Sequence, residues 1–420
     1  MKTIFITISR GGLIRNFFHS GVVNMLLDKN FKVIILTPNY EDKEFFKEFE
    51  HENLILEPLI KPKNIRGRKI IREFLKGASF NETVNYLYKY KLDGIEPSKI
   101  FYIPRILFFA PLRFIPGFKK FIRFLEFKIN PQKEHDYLFK KYNPDLVFAT
   151  FASGEVDAGV IKSAKRFRVK TVCIPKSWDN MSKSLFNTKT NYIIVWSEFM
   201  KNQAIKFQDY KDKEIIITGI PQFDYYYKKE NLMSREEFCK KFNFDPNKKI
   251  IMYGSNGVNK GVDYKYPELI KKFIDDKKLE NVQVLVRPHL GYVGDKEQFQ
   301  YLDNYENFAV DSNDKQNNKF KDHWDTSLNH LNNLYNSLYH SDVCVNILST
   351  LIFDATYCGT PVISVKFDID KTNNLNKSVK RFYKTDYSDA IIKSGGVFVA
   401  ESEEEFLKIL QNILYNNKNN

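Results

Sequence analysis

The chain has 420 residues, 43% hydrophobic and 15% aromatic, which supports two or three packed domains and excludes wholesale disorder. Its formal net charge is +14, yet residues 61–128 alone carry 16 Lys/Arg against 5 Asp/Glu, a local +11. The remainder is close to neutral, which argues against a general nucleic-acid binder.

Residues 1–60 read as the opening of a doubly wound sheet. A strand at 3–8 runs into the loop Ser9-Arg-Gly-Gly12, then a helix-period stretch at 13–28 and strands at 32–36 and 53–56. The first eight residues are too short for a signal-peptide core. Gly11-Gly12 lacks the GxGxxG spacing, so no dinucleotide site is assigned. Arg15 and His19 are four apart and share a helix face; His19 is a candidate base, with a plain structural histidine as the alternative.

Residues 61–130 interleave aromatic and cationic side chains, with Pro104, Pro111 and Pro116 expected to break the segment into short pieces. A water-facing helix has no use for so many Phe, and a buried one would not carry Arg105, Arg113, Lys119, Lys120 and Arg123. An interfacial element satisfies both, with rings at the headgroup boundary and cations on anionic lipid. The alternative is that the rings pack inward while the basic heads snorkel.

Strands follow at 145–150, 170–174, 192–196 and 214–218, alternating with helical patterns such as 155–167. A polar stretch at 223–247 marks the boundary. The second half restarts at 249–253 and continues through a helix at 267–276 and a strand at 282–286 ending in Arg287-Pro-His289. An Asn/Asp/Lys-rich loop at 311–333, a helix at 331–339, a strand at 397–400 and a closing helix at 403–415 complete the chain. The expected organisation is a first domain at 1–228 with 61–130 as an insertion, a second at 229–400, and a helix and tail at 401–420. Cys173 and Cys344 lie in apolar runs, and none of the four cysteines has CxxC spacing, the pattern of buried thiols in a reducing compartment. No uncharged stretch is long enough to span a bilayer, so a cytoplasmic protein is expected.

The most informative stretch is 341–364. An apolar strand at 343–348 leads to Ser349 and Thr350, Asp354 follows one helical turn later, and Gly359 and Pro361 precede a strand at 362–365. Hydroxyls at a helix N-terminus suit an anion, and an acid one turn on can accept from a ribose hydroxyl; capping by Ser349/Thr350 and a solvated Asp354 are the alternative. Lys176-Ser-Trp-Asp179-Asn180 with Lys183 and Arg287-Pro-His289 stand at other strand ends, where open α/β sheets bind ligands. In a shared cleft, Lys183, Arg287 and His289 would stabilise a pyrophosphate leaving group, with Asp179, Glu155 or Asp157 as base on an acceptor hydroxyl. No metal motif stands out. Asp368-Ile-Asp370 has DxD spacing but no supporting neighbours.

These residues carry a resemblance. Ser177-Trp-Asp-Asn180 with Lys183, Val195-Trp-Ser-Glu-Phe-Met200 and Thr218-Gly-Ile-Pro-Gln-Phe-Asp224 resemble a run in bacterial surface-polysaccharide glycosyltransferases of the GT-B fold, two Rossmann-like domains facing a cleft. Arg287-Pro-His289 and the 341–363 motif are similar to those of CDP-glycerol glycerophosphotransferases, with UDP-N-acetylglucosamine 2-epimerases a more distant likeness. The resemblance implies a nucleotide-activated sugar (UDP, GDP or CMP/CDP type) as co-substrate and no tightly bound cofactor or metal. Donor binding falls to Lys183, Gly219, Pro221, Arg287, His289, Ser349, Thr350 and Asp354. It implies a glycan or lipid-linked acceptor in the first domain, and an enzyme peripheral to the inner face of the cell membrane. Ser-Trp-Asp-Asn stands where the glycerophosphotransferases have a His-Gly-Thr-Pro character, which favours glycosyl transfer over alditol-phosphate transfer or a non-catalytic adaptor.

Overall fold

The computed structural model describes residues 1–42, 46–63, 68–89, 99–151, 153–257, 262–289, 291–292, 294–311, 320, 326–375 and 377–416. The chain forms two compact units, one from Met1–Lys89 and Pro97–Gln222, the other from Phe223–Asn318 and Asp322–Asn420.

Each unit is built on one parallel sheet. The first holds β1 (Thr3–Thr7), β2 (Lys32–Thr37), β3 (Leu54–Pro58), β4 (Leu146–Ala149), β5 (Lys170–Cys173), β6 (Tyr192–Val195) and β7 (Ile215–Ile217). The second holds β8 (Lys249–Gly254), β9 (Val282–Arg287), β10 (Phe308–Val310), β11 (Val343–Asn346), β12 (Val362–Val365) and β13 (Phe398–Ala400). Their orders are β3-β2-β1-β4-β5-β6-β7 and β10-β9-β8-β11-β12-β13. Counted from each unit's own first strand, both run 3-2-1-4-5-6, the doubly wound Rossmann order, so the α/β expectation holds in both halves. β1, β9 and β12 are buried along their whole length, because helices cover both faces of a parallel sheet. Strand order reverses between β1 and β4 and between β8 and β11, and these are the two points where such a sheet opens a ligand crevice.

The expected helix at 13–28 is interrupted. A short α-turn, Gly12–Ile14, passes into a π-turn, Arg15–His19, and Gly21 at φ 84° resets the chain before the helix Val22–Asp28. The wide turn lets Phe17, Phe18 and His19 all face inward. In the basic segment, helices Arg68–Ala78, Glu82–Lys89, Lys99–Phe109 and Phe118–Ile129 pack together with the turn Ala110–Phe114. Pro104 does not break its helix; it sits inside Lys99–Phe109 on the exposed side, where water can satisfy the carbonyl left without a partner. Pro111 opens the following 3-10 turn. Most of the expected loop at 311–333 lies outside the described residues, and its helix begins at Leu328. Among the described residues no helix is long and apolar enough to cross a membrane.

Candidate functional site

In the second unit, three loops meet at the carboxyl ends of β8, β9 and β11. The loop after β8 begins with Ser255, Asn256 and Gly257. Asn256 Nδ2 donates to Ile347 O at 2.8 Å, tying this loop to the turn that carries Ser349 and Thr350. Leu351 packs over Gly254, its Cδ2 lying 2.2 Å from where a Cβ would stand. Gly257 sits at φ 70°, and its missing Cβ would lie 2.3 Å from Tyr292 Cδ2 and 2.9 Å from His289 Cβ. The loop therefore lies between the Ser349–Thr350 turn and His289.

A buried carboxylate holds this loop in shape. Asp263 accepts from Tyr253 OH, from Ser255 Oγ at 2.7 Å and from Asn256 N at 2.9 Å. Burial pushes its pKa up to about 6, with the charge of Asp295 adding in the same direction. Asp295, itself buried, accepts the backbone N–H of His289 at 2.6 Å. Gly291 N–H donates to His289 Nδ1 at 3.1 Å, so the proton of the neutral tautomer stands on Nε2. Neither Asp263 nor Asp295 was marked by the sequence: each acts from the far side of a loop, and only the fold reveals the pairing.

Arg287, expected beside His289 as a donor ligand, is turned inward. It pairs with buried Asp311 and lies 3.1 Å from His330 Nδ1, because a guanidinium at the buried end of the strand is held by a carboxylate that compensates its charge. Ser349 is half-buried, its Oγ accepting from Leu351 N at 3.3 Å, while Thr350 is exposed at the N-cap without a side-chain capping bond. The Ser349 turn is pinned by Leu348 N donating to Ser364 Oγ at 3.1 Å. The helix that follows, Leu351–Tyr357, has only seven residues, too short for a strong dipole.

Asp354 has a role the sequence did not suggest. It is buried, and Tyr226 OH donates to it at 2.5 Å. Tyr335 OH donates to Tyr226 O at 2.5 Å, Tyr225 OH bonds Asn332, and Phe223 packs on Tyr357 at 4.5 Å between ring centroids. The segment leading into the second unit is thus fastened to it through Asp354. Asp368 and Asp370, the DxD pair, are structural: Asp368 accepts from Ser378 Oγ and Val379 N, and Asp370 pairs with Lys265.

In the first unit, the crevice between β1 and β4 is closed by a polar knot. Thr7 Oγ1 donates to Asp157, Thr150 N donates to Thr7 Oγ1 at 3.0 Å, and Thr150 Oγ1 donates to Thr7 O. Asp157 is fully buried and its pKa is raised by that burial, so as a candidate base it is replaced by more accessible acids. Glu155, half-buried at the start of the same helix, and Asp179 are nearer solvent. Asp179 sits at the N-cap of Asn180–Lys183 and pairs with Lys183. Burial pushes its pKa up, but the Lys183 ammonium and bonds from Lys183 and Ser177 outweigh that and hold it below the usual value. Arg10 and Lys176 each lie 5.9 Å from the Phe151 ring, and Lys176 Cε is 3.9 Å from the position of a Gly12 Cβ. His19 is buried against Phe49 at 5.5 Å and belongs to the core. Gly219, at φ 81°, and Pro221 lie in the connection after β7, and no described contact joins them to either cluster.

The expected membrane cations divide in two. Arg105, Arg113 and Lys120 are exposed. Arg123 is buried, donating to Phe186 O at 3.1 Å and to Gln208 O at 2.8 Å, and Lys119 donates to Lys206 O at 2.8 Å. Arg123 is a strut within the unit, and Lys119, half-buried, is tied to it by its bond.

The sequence model of the CDP-glycerol:poly(glycerophosphate) glycerophosphotransferase family matches residues 164–420. No curated protein matches the chain. Among solved structures, the Methanocaldococcus jannaschii UDP-GlcNAc 2-epimerase is similar over 100% of this chain and 94% of its own, at 11% identity and a TM-score of 0.55. The Neisseria meningitidis UDP-GlcNAc 2-epimerase bound to UDP-GlcNAc is similar over 99% of this chain and 92% of its own, at 12% identity and a TM-score of 0.55. The S. aureus MnaA–UDP structure covers 99% and 88%, at 9% identity and a TM-score of 0.56. At such identities the likeness is one of fold.

Proposed function

Because the chain belongs to the CDP-glycerol:poly(glycerophosphate) glycerophosphotransferase family, whose model matches more than half of it, we propose that it is a transferase acting on a nucleotide-activated donor. The group moved is a sugar, and the acceptor is a hydroxyl of a glycan or lipid-linked glycan in capsule- or lipopolysaccharide-type synthesis at the inner face of the cell membrane. The observation that carries this reading is the bonded patch at the β8/β11 switch point. There Nε2–H of His289 and the hydroxyls of Ser349 and Thr350 offer donors on a frame fixed by Asn256, Asp263 and Asp295. Such donors stabilise charge that develops on a diphosphate leaving group. The two structural relatives solved with UDP-GlcNAc or UDP support a nucleotide co-substrate of UDP, GDP or CMP/CDP type.

We propose Asp179 as the general base. Its pairing with Lys183 keeps it ionised, so it can accept the acceptor's proton as the new bond forms. In this reading the leaving-group charge is met by N–H and O–H donors of the second unit, with no metal ion required. A second reading, alditol-phosphate transfer from a CDP-activated donor, is favoured by the family's own description.

Calorimetric titration of UDP, GDP and CDP tests the donor site. At least one diphosphate should bind, and His289→Ala should weaken it on the order of tenfold to a hundredfold with unchanged circular dichroism, as the loss of a hydrogen bond to a charged group predicts. Failure of all three to bind, or an unaffected variant, would sink the reading.

A further inference from the structure

The helix Phe118–Ile129 carries apolar side chains on both its inner and its outer face. A surface helix buries its apolar stripe and exposes its charges. Here Phe118, Ile122 and Leu125 pack on the core beside the buried Arg123 and Glu126, while Phe121 and Phe124 are 54% and 56% exposed. The buried charges are satisfied inside the unit. Arg123 donates to the carbonyls of Phe186 and Gln208, and Lys162, itself fully buried, donates to Glu126 at 2.8 Å. A half-turn rotation would bury these two rings but would bring Ile122 and Leu125 out of the core and free Arg123. Specific partners hold it in the orientation that shows phenyl groups to the surroundings.

The same outward display continues along the chain. Leu107 and Phe108 of the helix Lys99–Phe109 are 70% and 58% exposed, and Phe114 and Ile115 after it are 72% and 50% exposed. The surface is joined through rings: Phe74 lies 6.1 Å from Phe108 and 6.4 Å from Phe118, and Phe118 lies 6.5 Å from Phe121. A large side chain offers roughly 150–250 Å², so six such groups half exposed or more present on the order of 600 Å². That is at the upper end of the largest patch on an ordinary monomer, about 300–600 Å².

Charge decides what covers it. Arg105, Arg113, Lys120 and Lys128 are exposed around the rings, and the single acid in residues 99–129, Glu126, is buried. A second copy of the chain would bring the same positive rim against itself. A bilayer bearing anionic headgroups complements the cations and takes up the rings at its acyl boundary.

We infer that residues 103–124 form a monotopic membrane-docking surface, in which Leu107, Phe108, Phe114, Phe121 and Phe124 enter the headgroup–acyl boundary and Arg105, Arg113 and Lys120 engage anionic lipid. The inference rests on the functional reading only in supplying a lipid-borne acceptor; the surface itself is argued from its own residues.

Flotation of the full chain with phosphatidylcholine vesicles, with and without about one-third phosphatidylglycerol, tests it. Binding should require the anionic lipid and weaken with salt. Phe121→Ser with Phe124→Ser should lower partitioning about tenfold per ring, and Arg105→Glu with Lys120→Glu should lower it at least as far, each with unchanged circular dichroism. Equal binding to neutral vesicles, no binding to either, or unaltered binding by both double variants overturns it. So does a shift of oligomeric state in the variants without loss of vesicle binding. Nucleotide release measured without vesicles separates the two proposals: a docking failure leaves turnover intact, and a protein that docks but never turns over refutes the functional reading alone.

Discussion

The bond between Tyr226 and Asp354 allows a sharp choice between two roles for that acid. A ribose ligand would face a ligand pocket and contribute little to folding. An anchor would hold the segment after Gln222 to its unit, and both partners are buried, at 6% and 5% exposure. A hydrogen bond to a charged group contributes about 1.5–3 kcal/mol, and a buried acceptor left without its donor costs about 1–3 kcal/mol. Tyr226→Phe and Asp354→Asn should therefore each lower the stability of the second unit by about 2 kcal/mol. Because Tyr226→Phe removes the bond and Asp354→Asn, which keeps a carbonyl acceptor, removes the charge that strengthens it, the double variant should fall short of the sum by about 1 kcal/mol. Urea denaturation of the four proteins measures the cycle, with nucleotide affinity recorded in parallel. Tyr226→Phe should leave that affinity unchanged. Additivity within about 0.5 kcal/mol, or an Asp354→Asn protein of normal stability that no longer binds nucleotide, would refute the anchoring role.

Three further outcomes are expected. Gly257→Ala places a side chain in the left-handed region, at about 1–2 kcal/mol, and against Tyr292 and His289; the unfolding free energy from urea denaturation should fall by about 3 kcal/mol in all and nucleotide affinity should fall with it. Asp263 has a folded pKa of about 6 against 3.8 without burial, so its contribution to stability is full below about pH 4 and is lost as pH rises through 6. The difference in urea stability between the natural protein and Asp263→Asn should therefore tilt by up to about 3 kcal/mol across that window; a pH-independent difference would contradict the burial of its charge. Arg123→Ala should cost about 3 kcal/mol by leaving two buried carbonyls without donors, whereas Arg105→Ala should change thermal stability little, within about 0.5 kcal/mol.

Much of the fold was legible because parallel strands covered on both faces are written as near-continuous apolar runs, as in Val33 to Leu36 and Ile250 to Tyr253. Strand order was not, since nothing local says that β1 pairs with β4 or that β8 pairs with β11. The position of His289 at a strand end was visible. The inward turn of its neighbour Arg287 was not, because it depends on Asp311, which lies 24 residues away. Asp157 illustrates a related limit: an acid in the first turn of a helix has the same sequence signature whether it faces substrate or, as here, a threonine 150 residues distant. The basic segment showed its composition but hid its orientation. Only the fold reveals that Phe121 and Phe124 face outward while Arg123 and Glu126 are buried.

The central claim, transfer of a sugar from a nucleotide-activated donor, is tested most directly by analysing both products of one reaction. The purified chain would be incubated with UDP-, GDP- and CMP/CDP-activated donors and a lipid-linked glycan fraction, and the released nucleotide and the acceptor's mass gain determined together. The account predicts release of the donor's nucleotide matched by an acceptor gain of one sugar without phosphorus. Release of CMP with an alditol phosphate added to the acceptor would contradict it.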